Sequence, residues 1–205
     1  MSTHFSRSET RTIKMYHIKK DQRSIRSSEM LYDGLAGLMR ERDFAEITVT
    51  DLVEAANVGR TTFYRNFDEI EDILHMRNDQ VFDGLKKYLS EYRKTIGFDN
   101  RSEMLKPILR YFYLNSEIIE LLFIAHRIDI FSQSFRRLME PFKPILVSKN
   151  DVGEDYVDYL IAINTGVVTN ILTHWIKSGK KQAPDDLADT IKLMMNTDVS
   201  HWASI

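Results

Sequence analysis

The residues with the most specific chemistry lie together in one segment, residues 48–67 (TVTDLVEAANVGRTTFYRNF). Phe63 and Phe67 are four residues apart, so a helix through them would have both on one buried side. Thr61 and Arg65 would then project from the opposite side. The same helix would carry two further polar side chains on its flanks, Thr62 and Tyr64. A short helix would therefore present several hydroxyl groups and a guanidinium on one exposed surface.

These side chains match the hydrogen-bonding groups of duplex DNA. An arginine guanidinium can donate two hydrogen bonds to guanine or to phosphate, and a hydroxyl can donate to phosphate. A threonine methyl group can contact the methyl group of thymine. Two short helices joined by a tight turn are typical of a helix-turn-helix, in which the second helix lies in the major groove. The alternative is a helical hairpin in an ordinary core, which would leave the tyrosine and arginine exposed without a role.

Local signals predict two helices and a turn in this segment. Thr48 can cap a helix over Val49–Ala56, and Asp51, three residues later, can complete a capping box. Asn57 tolerates the left-handed backbone conformation of a turn. The second helix is then predicted over Arg60–Asn66.

A preceding helix is predicted over Ser24–Arg42, with Leu31, Leu35 and Leu38 on its buried stripe. Phe44 and Ile47 are expected to anchor the connection that follows. These three helices form the predicted N-terminal head.

The rest of the chain also shows helical periodicity and little glycine or proline. Further helices are predicted at 68–93, 101–115, 116–126, 130–147, 154–178 and 184–196. Pro107 is expected to kink its helix or mark a later start, and Pro141 and Pro144 to bend or end theirs. The predicted fold class is all-α, with a three-helix helix-turn-helix head on a larger C-terminal helical bundle.

The N-terminal part of the chain resembles the TetR/AcrR family of bacterial transcriptional regulators. The motifs that carry the resemblance lie within residues 28–74: Thr48-Val-Thr-Asp-Leu, Ala56-Asn-Val, Thr62-Phe-Tyr-Arg-Asn-Phe67 and Glu71-Asp-Ile-Leu74. The remaining chain resembles the family only in length, helicity and closing pattern. The head departs from the family pattern at three positions, with Asn57 for glycine, Gly59 for serine and Ile70 for a phosphate-binding lysine.

The resemblance implies a set of DNA contacts. It implies phosphate contacts from Thr48 and Tyr64. It implies contacts to bases or backbone from Thr50, Arg60, Thr61, Thr62, Arg65 and Asn66.

Aromatic and methionine side chains are dense between residues 104 and 142. Most are expected to form the core, and the resemblance implies that some line a cavity for a small apolar or aromatic effector. The candidate lining residues are Met104, Tyr111, Phe123, His126, Phe135, Asn164 and His174. For each of the polar candidates, an ordinary buried or surface position is favoured over a contact with a ligand.

The resemblance further implies a homodimer in which the last two helices pair with their copies. The predicted surface is an apolar face of the 154–178 helix together with residues of the last helix. Its members are Val157, Ile161, Asn164, Thr165, Val168, Leu172, Trp175, Leu187, Ile191 and Met194. The alternative is that this face packs within one chain.

Several other functions find no support in the sequence. The chain has no cysteine, no His-x-x-x-His or Glu-x-x-His pair to bind a metal, no glycine-rich phosphate loop and no nucleophile elbow. We therefore expect no catalysis, no metal and no cofactor. No apolar run reaches the roughly 18 residues that indicate a membrane span, and the first residues lack a signal peptide, so a cytoplasmic location is expected.

Residues 1–23 contain six lysines and arginines against two acidic residues. They form either a solvated tail or a basic arm that contacts phosphate or the minor groove. The expected organisation is an arm at 1–23, a DNA-binding domain at 24–69, and an effector-binding and dimerisation domain at 70–205. The expected function is sequence-specific binding to a palindromic operator, with repression relieved by an effector. A TetR-like scaffold that acts through a partner protein, or an activator, is the alternative.

Overall fold

The computed structural model describes residues 16–96, 104–150 and 152–196; most of the basic arm, residues 1–15, lies outside these ranges. Within them the chain forms ten α-helices, two short 3-10 helices and no β-strand. The helices are α1 (Gln22–Leu38), α2 (Val49–Ala55), α3 (Arg60–Asn66), α4 (Glu71–Ile96), α5 (Leu105–Leu114), α6 (Glu117–Ile124), α7 (Ile128–Met139), α8 (Lys143–Asn150), α9 (Glu154–Lys177) and α10 (Pro184–Asn196). The predicted all-α class, with a helix-turn-helix head on a larger helical body, is confirmed.

The head consists of α1, α2 and α3 around a small apolar core. Leu31 and Leu35 of α1 are fully buried, as predicted, together with Leu52 of α2. α1 begins two residues earlier than predicted because the Asp21 carboxylate accepts a hydrogen bond from the Ser24 backbone N–H at 2.8 Å and caps the helix. The head is therefore held by helix caps as well as by apolar contacts.

α1 and α2 approach each other closely at a glycine. A Cβ atom on Gly34 would lie 3.0 Å from the backbone nitrogen of Ala56. Gly37, one turn further along α1, faces open space. The absence of a side chain at position 34 thus sets the distance between the two helices.

The long helix α4 leaves the head and enters the body. It begins at Glu71 rather than at residue 68, because the Asp72 carboxylate accepts hydrogen bonds from the backbone N–H groups of Asp68 and Glu69 at 2.9 and 2.8 Å. Asp72 is buried, so these two hydrogen bonds fix the direction in which α4 leaves the head.

An aromatic cluster forms the centre of the body. The ring of Phe82 on α4 lies 6.0 Å from that of Phe112 and 5.2 Å from that of Phe131, between centroids. All three side chains are buried. The aromatic residues of the middle helices are thus core residues in large part, as expected from their density.

The predicted helix 130–147 is interrupted. α7 ends at Met139, a 3-10 turn covers Glu140–Phe142, and α8 restarts at Lys143. Pro141 and Pro144 lie at this break, where proline lacks the N–H that a continuous helix requires.

α9 is apolar on two faces, and the face predicted to form the dimer interface is the inner one. Val157, Ile161, Leu172 and Trp175 are buried within the single chain. On α10, Leu187 and Ile191 are buried as well, whereas Met194 is exposed. The prediction that this face pairs with a second copy is therefore wrong, because intramolecular packing already covers it.

The opposite face of α9 is exposed. Tyr156, Tyr159, Ile163 and Val167 recur at intervals of three and four residues, which places them on one side of the helix. Their side chains are between 47% and 73% exposed, although all four are large and apolar. No helix in the described ranges combines the length and apolar character needed to cross a bilayer.

Candidate nucleic-acid interface

α3 is held to the head by its two phenylalanines. Phe63 and Phe67 are both fully buried, as their spacing predicted. Their ring centroids lie 6.0 Å apart, and the ring of Phe63 also meets that of Tyr64 edge-on at 5.1 Å. The buried side of α3 therefore fixes which side faces outward.

The outward side of α3 carries the polar row. Thr61 and Arg65 are exposed, Tyr64 is 57% exposed and Thr62 is half-buried. Arg65 forms no ion pair with any residue that the structure describes. Its guanidinium is thus a solvated cation at the end of a short helix, with its donors available to an anionic partner.

The predicted capping box is present at the start of α2. The Thr48 hydroxyl accepts from the Asp51 backbone N–H at 3.2 Å and donates to the Asp51 carboxylate at 2.6 Å, while that carboxylate accepts from the Thr48 backbone N–H at 2.9 Å. These hydrogen bonds from Thr48, and then the nearby Arg42, lower the pKa of the Asp51 carboxyl below its usual value. Thr48 is exposed but has its hydroxyl proton directed towards Asp51.

One hydrogen bond joins the two helices on the exposed side. The Arg60 guanidinium donates to the Thr50 hydroxyl at 2.7 Å. The side chains therefore meet at the groove between α2 and α3, and the remaining guanidinium donors of Arg60 stay exposed.

The turn between α2 and α3 follows the sequence prediction. Asn57 has a φ of +51°, the left-handed conformation for which glycine is the more usual residue. Gly59 caps α3 without a side-chain hydrogen bond, and its carbonyl accepts from the N–H groups of Thr62 and Phe63. The two departures from the family pattern in this turn are therefore accommodated by the backbone.

The prediction that the side chain of Asn66 contacts DNA is wrong. This side chain is fully buried between α3 and α1. Its Oδ1 accepts from the Ser24 hydroxyl at 2.6 Å, and its Nδ2 donates to the Ser27 hydroxyl and to the Thr62 carbonyl, both at 3.2 Å. Asn66 instead holds the last turn of α3 against the first helix.

Sequence reasoning missed this contact because its partners are distant in the chain. Ser24 and Asn66 are 42 residues apart, and serines on a helix are more often exposed. The one available signal was the spacing of Ser24, Ser27 and Ser28, which follows the buried stripe of α1.

Ile70 occupies the position at which the family pattern has lysine. It is half-buried and packs against the apolar core. The phosphate contact that a lysine would supply at the start of α4 is replaced by an apolar anchor between head and body.

Glu117, at the start of α6, connects the head to the body. Its carboxylate accepts from the Tyr32 hydroxyl at 3.3 Å and from the Arg40 guanidinium at 2.9 Å. Burial, and next the charge of Glu117, raise the pKa of Tyr32. Both partners of Glu117 lie on α1 or directly after it. The body therefore contacts the head at the helix against which α2 and α3 pack.

The predicted effector residues line neither of two concavities found among the described residues. Both concavities lie in the head, one between α1 and α2 and one beside the turn at Asn57. His126 and His174 are exposed, so the single chain encloses neither of them. These two concavities therefore do not identify an effector site at the predicted residues.

The other effector candidates already have partners. The Tyr111 hydroxyl donates to the Val81 carbonyl at 2.8 Å, and the Asn164 amide donates to the Leu160 carbonyl of its own helix at 2.7 Å. The Lys177 ammonium lies 3.5 Å from the ring centroid of Phe123. The last two candidates are Phe135, which is buried, and Met104, which is half-buried. In the described part of the chain, no group of histidine and acidic side chains has the arrangement of a metal site.

Two family models match the chain. A model described as bacterial regulatory proteins of the tetR family matches residues 31–75, and a model described as the C-terminal region of a transcriptional regulator matches residues 99–197. Together these matches span more than two thirds of the chain. The comparison with curated proteins found no match.

Several solved structures share the fold. Lin0861 from Listeria innocua has a TM-score of 0.71 at 18% identity, covering 89% of this chain and 96% of its own. A TetR transcriptional regulator from Streptococcus agalactiae has a TM-score of 0.56 at 24% identity, covering 83% and 93%. The fatty acid degradation regulator FadR from Bacillus halodurans has a TM-score of 0.55 at 14% identity, covering 89% and 98%. At these identities the likeness concerns the fold.

Proposed function

The chain belongs to the TetR family of DNA-binding transcriptional regulators and is not an enzyme. From this premise we propose that it binds a palindromic operator as a homodimer. Each protomer inserts α3 into the major groove, and the two grooves lie about 34–36 Å apart on one side of the duplex. The observation that carries this proposal is the orientation of α3. Its phenylalanines are fully buried, while Thr61, Tyr64 and Arg65 face outward.

The proposed contacts divide into two groups. Thr48 and Tyr64 bind phosphate and fix the register of the head on the duplex. The base-reading or backbone contacts come from Thr50, Arg60, Thr61, Thr62 and Arg65. Because Arg60 is already bonded to Thr50, it enters the complex oriented, whereas Arg65 must be ordered on binding.

A binding experiment tests this assignment. Fluorescence anisotropy with DNA from around the protein's own gene should show tight, sequence-dependent binding. The pair Arg65→Ala with Tyr64→Phe should weaken specific binding at least about 5-fold, because a bidentate arginine contact contributes about 1–3 kcal/mol. Arg136→Ala, which removes an exposed arginine from α7 in the body, is the matched control and should leave the affinity unchanged.

Two results would remove the proposal. One is weak binding that is indifferent to DNA sequence. The other is specific binding that survives the Arg65 and Tyr64 substitutions, because the surface of α3 would then not be in the groove.

The exposed face of α9 supports dimerisation. A row of two tyrosines, an isoleucine and a valine on one side of a long helix is unusual for a surface in contact with water, and it suits pairing with a second copy. This proposal replaces the inner face that the sequence suggested. A short recognition helix contacts few base pairs, so pairing two copies raises both affinity and specificity.

The dimer face is tested by Ile163→Asp. We expect this protein to sediment as a monomer at micromolar concentration and to lose specific DNA binding, while the wild type sediments as a dimer. Leu114→Asp, at a leucine that is 81% exposed on α5, is the matched control and should remain dimeric. A dimeric Ile163→Asp protein would show that the interface lies elsewhere.

We propose that the protein represses transcription, because a dimer bound at a promoter blocks access to that promoter. A small apolar or aromatic effector, bound in the body at 70–205, would release the dimer from the DNA. Release requires that the effector bind the DNA-free arrangement of the heads more tightly. A reporter on the native promoter separates the alternatives. Expression should rise when the gene is deleted; a fall would indicate an activator, and a scaffold that acts through a partner protein would lack specific DNA binding. A role at the promoter implies that the protein acts in the cytoplasm.

A further inference from the structure

The short segment before α1 packs across the end of the DNA-facing helix. Tyr16 forms an isolated antiparallel bridge with Phe67, and the His17 backbone N–H donates to the Asn66 carbonyl at 2.8 Å. Tyr16 and Ile18 are half-buried against the apolar core. We call residues 16–18 the strap. The strap supplies a donor to a carbonyl at the C-terminal end of α3, where helix carbonyls lack partners within the helix.

The tyrosine of the strap reaches past the head into the body. Its hydroxyl donates to the Oδ2 atom of Asp79, on α4, at 3.0 Å. Burial, and next the charge of Asp79, raise the pKa of Tyr16, so the hydroxyl keeps its proton at neutral pH and can act as the donor. One residue thus contacts both the end of α3 and the middle of α4.

Asp79 is in turn held by α7. Its Oδ1 atom accepts from the Arg137 guanidinium at 2.6 Å and from the Ser134 hydroxyl at 3.3 Å. Arg137 also donates to the Ser134 hydroxyl at 2.7 Å. The position of the Asp79 carboxylate therefore depends on where α7 lies.

α7 also contacts the helix that carries the proposed dimer face. The hydroxyls of Ser132 and Thr169 lie 3.2 Å apart, and Thr169 is on α9. A continuous set of contacts thus runs from α9 through α7, Asp79 and Tyr16 to the end of α3. Each step is a hydrogen bond, an ion pair or a backbone bridge.

We propose that Tyr16 is a positioning residue through which the body holds the end of the DNA-facing helix, so that a displacement of α7 changes the placement of α3. The regulatory part of this inference rests on the proposed DNA-binding function; the mechanical part does not. The chain itself also connects α3 to the body, through residues 67–70 and α4. The strap is a second connection, and its hydrogen bond from His17 reaches Asn66 in the last turn of α3 itself. A shift of α7 would therefore act on the orientation of the reading surface directly.

Amide hydrogen exchange in the full chain without DNA tests the mechanical part. Tyr16→Phe keeps the ring and removes only the hydroxyl, so the strap should loosen without loss of the fold. We expect exchange in residues 60–67 to become about 10- to 150-fold faster, the effect of losing one hydrogen bond to a charged group, with α9 unaffected. Tyr88→Phe, which removes the hydroxyl of a half-buried tyrosine on α4, is the matched control. If exchange in residues 60–67 responds equally to both substitutions or to neither, the inference is overturned.

A double-mutant cycle tests the relay to α7. Arg137→Gln should speed exchange in residues 60–67 in the wild-type background and have little effect in the Tyr16→Phe background, because the connection is then already broken. Equal effects in both backgrounds would show that α7 acts on α3 by another route and would refute the relay.

The same cycle, measured as affinity for DNA from around the protein's own gene, tests the regulatory part. Arg137→Gln should weaken specific binding several-fold only when Tyr16 is present. If the wild-type protein shows no specific DNA binding, the proposed function fails, while the exchange measurements still decide the mechanical part.

Discussion

Replacing Asn66 with alanine separates the structural side of α3 from its reading side. The wild-type side chain makes three hydrogen bonds in a fully buried position, to Ser24, Ser27 and Thr62. Alanine removes all three and leaves the buried Ser24 hydroxyl without its acceptor. Arg65→Ala is the matched change, because it truncates the neighbouring residue of the same helix at an exposed position.

The expected loss of stability follows from those hydrogen bonds. At about 0.5–1.5 kcal/mol each, the three contribute roughly 2–4 kcal/mol. The better helix propensity of alanine offsets about 0.5 kcal/mol of this. The net loss should be about 2–3 kcal/mol. Arg65→Ala should change stability by less than about 0.5 kcal/mol, as is usual for exposed positions.

Urea unfolding followed by circular dichroism measures both proteins, at one protein concentration because dimerisation contributes to stability. DNA affinity is measured under conditions in which each variant remains folded. Asn66→Ala should be destabilised, and Arg65→Ala should be stable but weak in binding. If Asn66→Ala keeps wild-type stability and loses DNA affinity as Arg65→Ala does, the Asn66 side chain faces the duplex and its inward orientation on α3 is refuted.

Three further outcomes follow from the head and the arm. Gly34→Ala should lower the free energy of unfolding by about 1–2 kcal/mol, because the cost of overpacking against the end of α2 exceeds the gain in helix propensity. Gly37→Ala, the control, should be neutral or stabilising by up to about 1 kcal/mol. Equal shifts in melting temperature for the two variants would contradict the close approach of α1 and α2 at Gly34. The pKa of Asp51 is lowered by folding, so its contribution exists above the usual value of 3.8 and is lost as the pH falls through the lower folded value. The difference in urea midpoint between wild type and Asp51→Asn should therefore be constant from pH 7 to about pH 5 and shrink towards pH 3. A difference that widens towards pH 3 would show that the sign is wrong. Deleting residues 1–15, which spares the strap and the cap of α1, should lower the salt dependence of DNA binding by about one unit per lost phosphate contact; an unchanged slope would identify a solvated tail.

The sequence was sufficient to predict the all-α class, the ends of α2 and α3 and the outward-facing polar row of α3. Thr48 and Asp51 are three residues apart, and Phe63 and Phe67 are four apart. A capping box and a buried helix side depend only on such short separations. Local chemistry was therefore sufficient for them.

Which face of α9 is buried was less predictable. The helix is apolar on two sides, and helical periodicity identifies both stripes without ranking them. The sequence favoured Val157 and Ile161 as the face for a partner, but these residues are covered by the rest of the chain, and Tyr159 and Ile163 are exposed instead. Which stripe faces inward depends on where α6, α7 and α8 pack.

By itself, then, the sequence determined the helices, the turn and the side chains that α3 offers to a duplex, because each of these is set by residues within one or two helical turns. Only the tertiary structure decided that Asn66 faces inward, that Tyr16 reaches Asp79, and that the expected effector residues do not surround either concavity. The partners in these contacts lie 42 residues apart for Asn66 and 63 for Tyr16. Contacts over such separations are chosen by the packing of whole helices, and no local pattern records that choice.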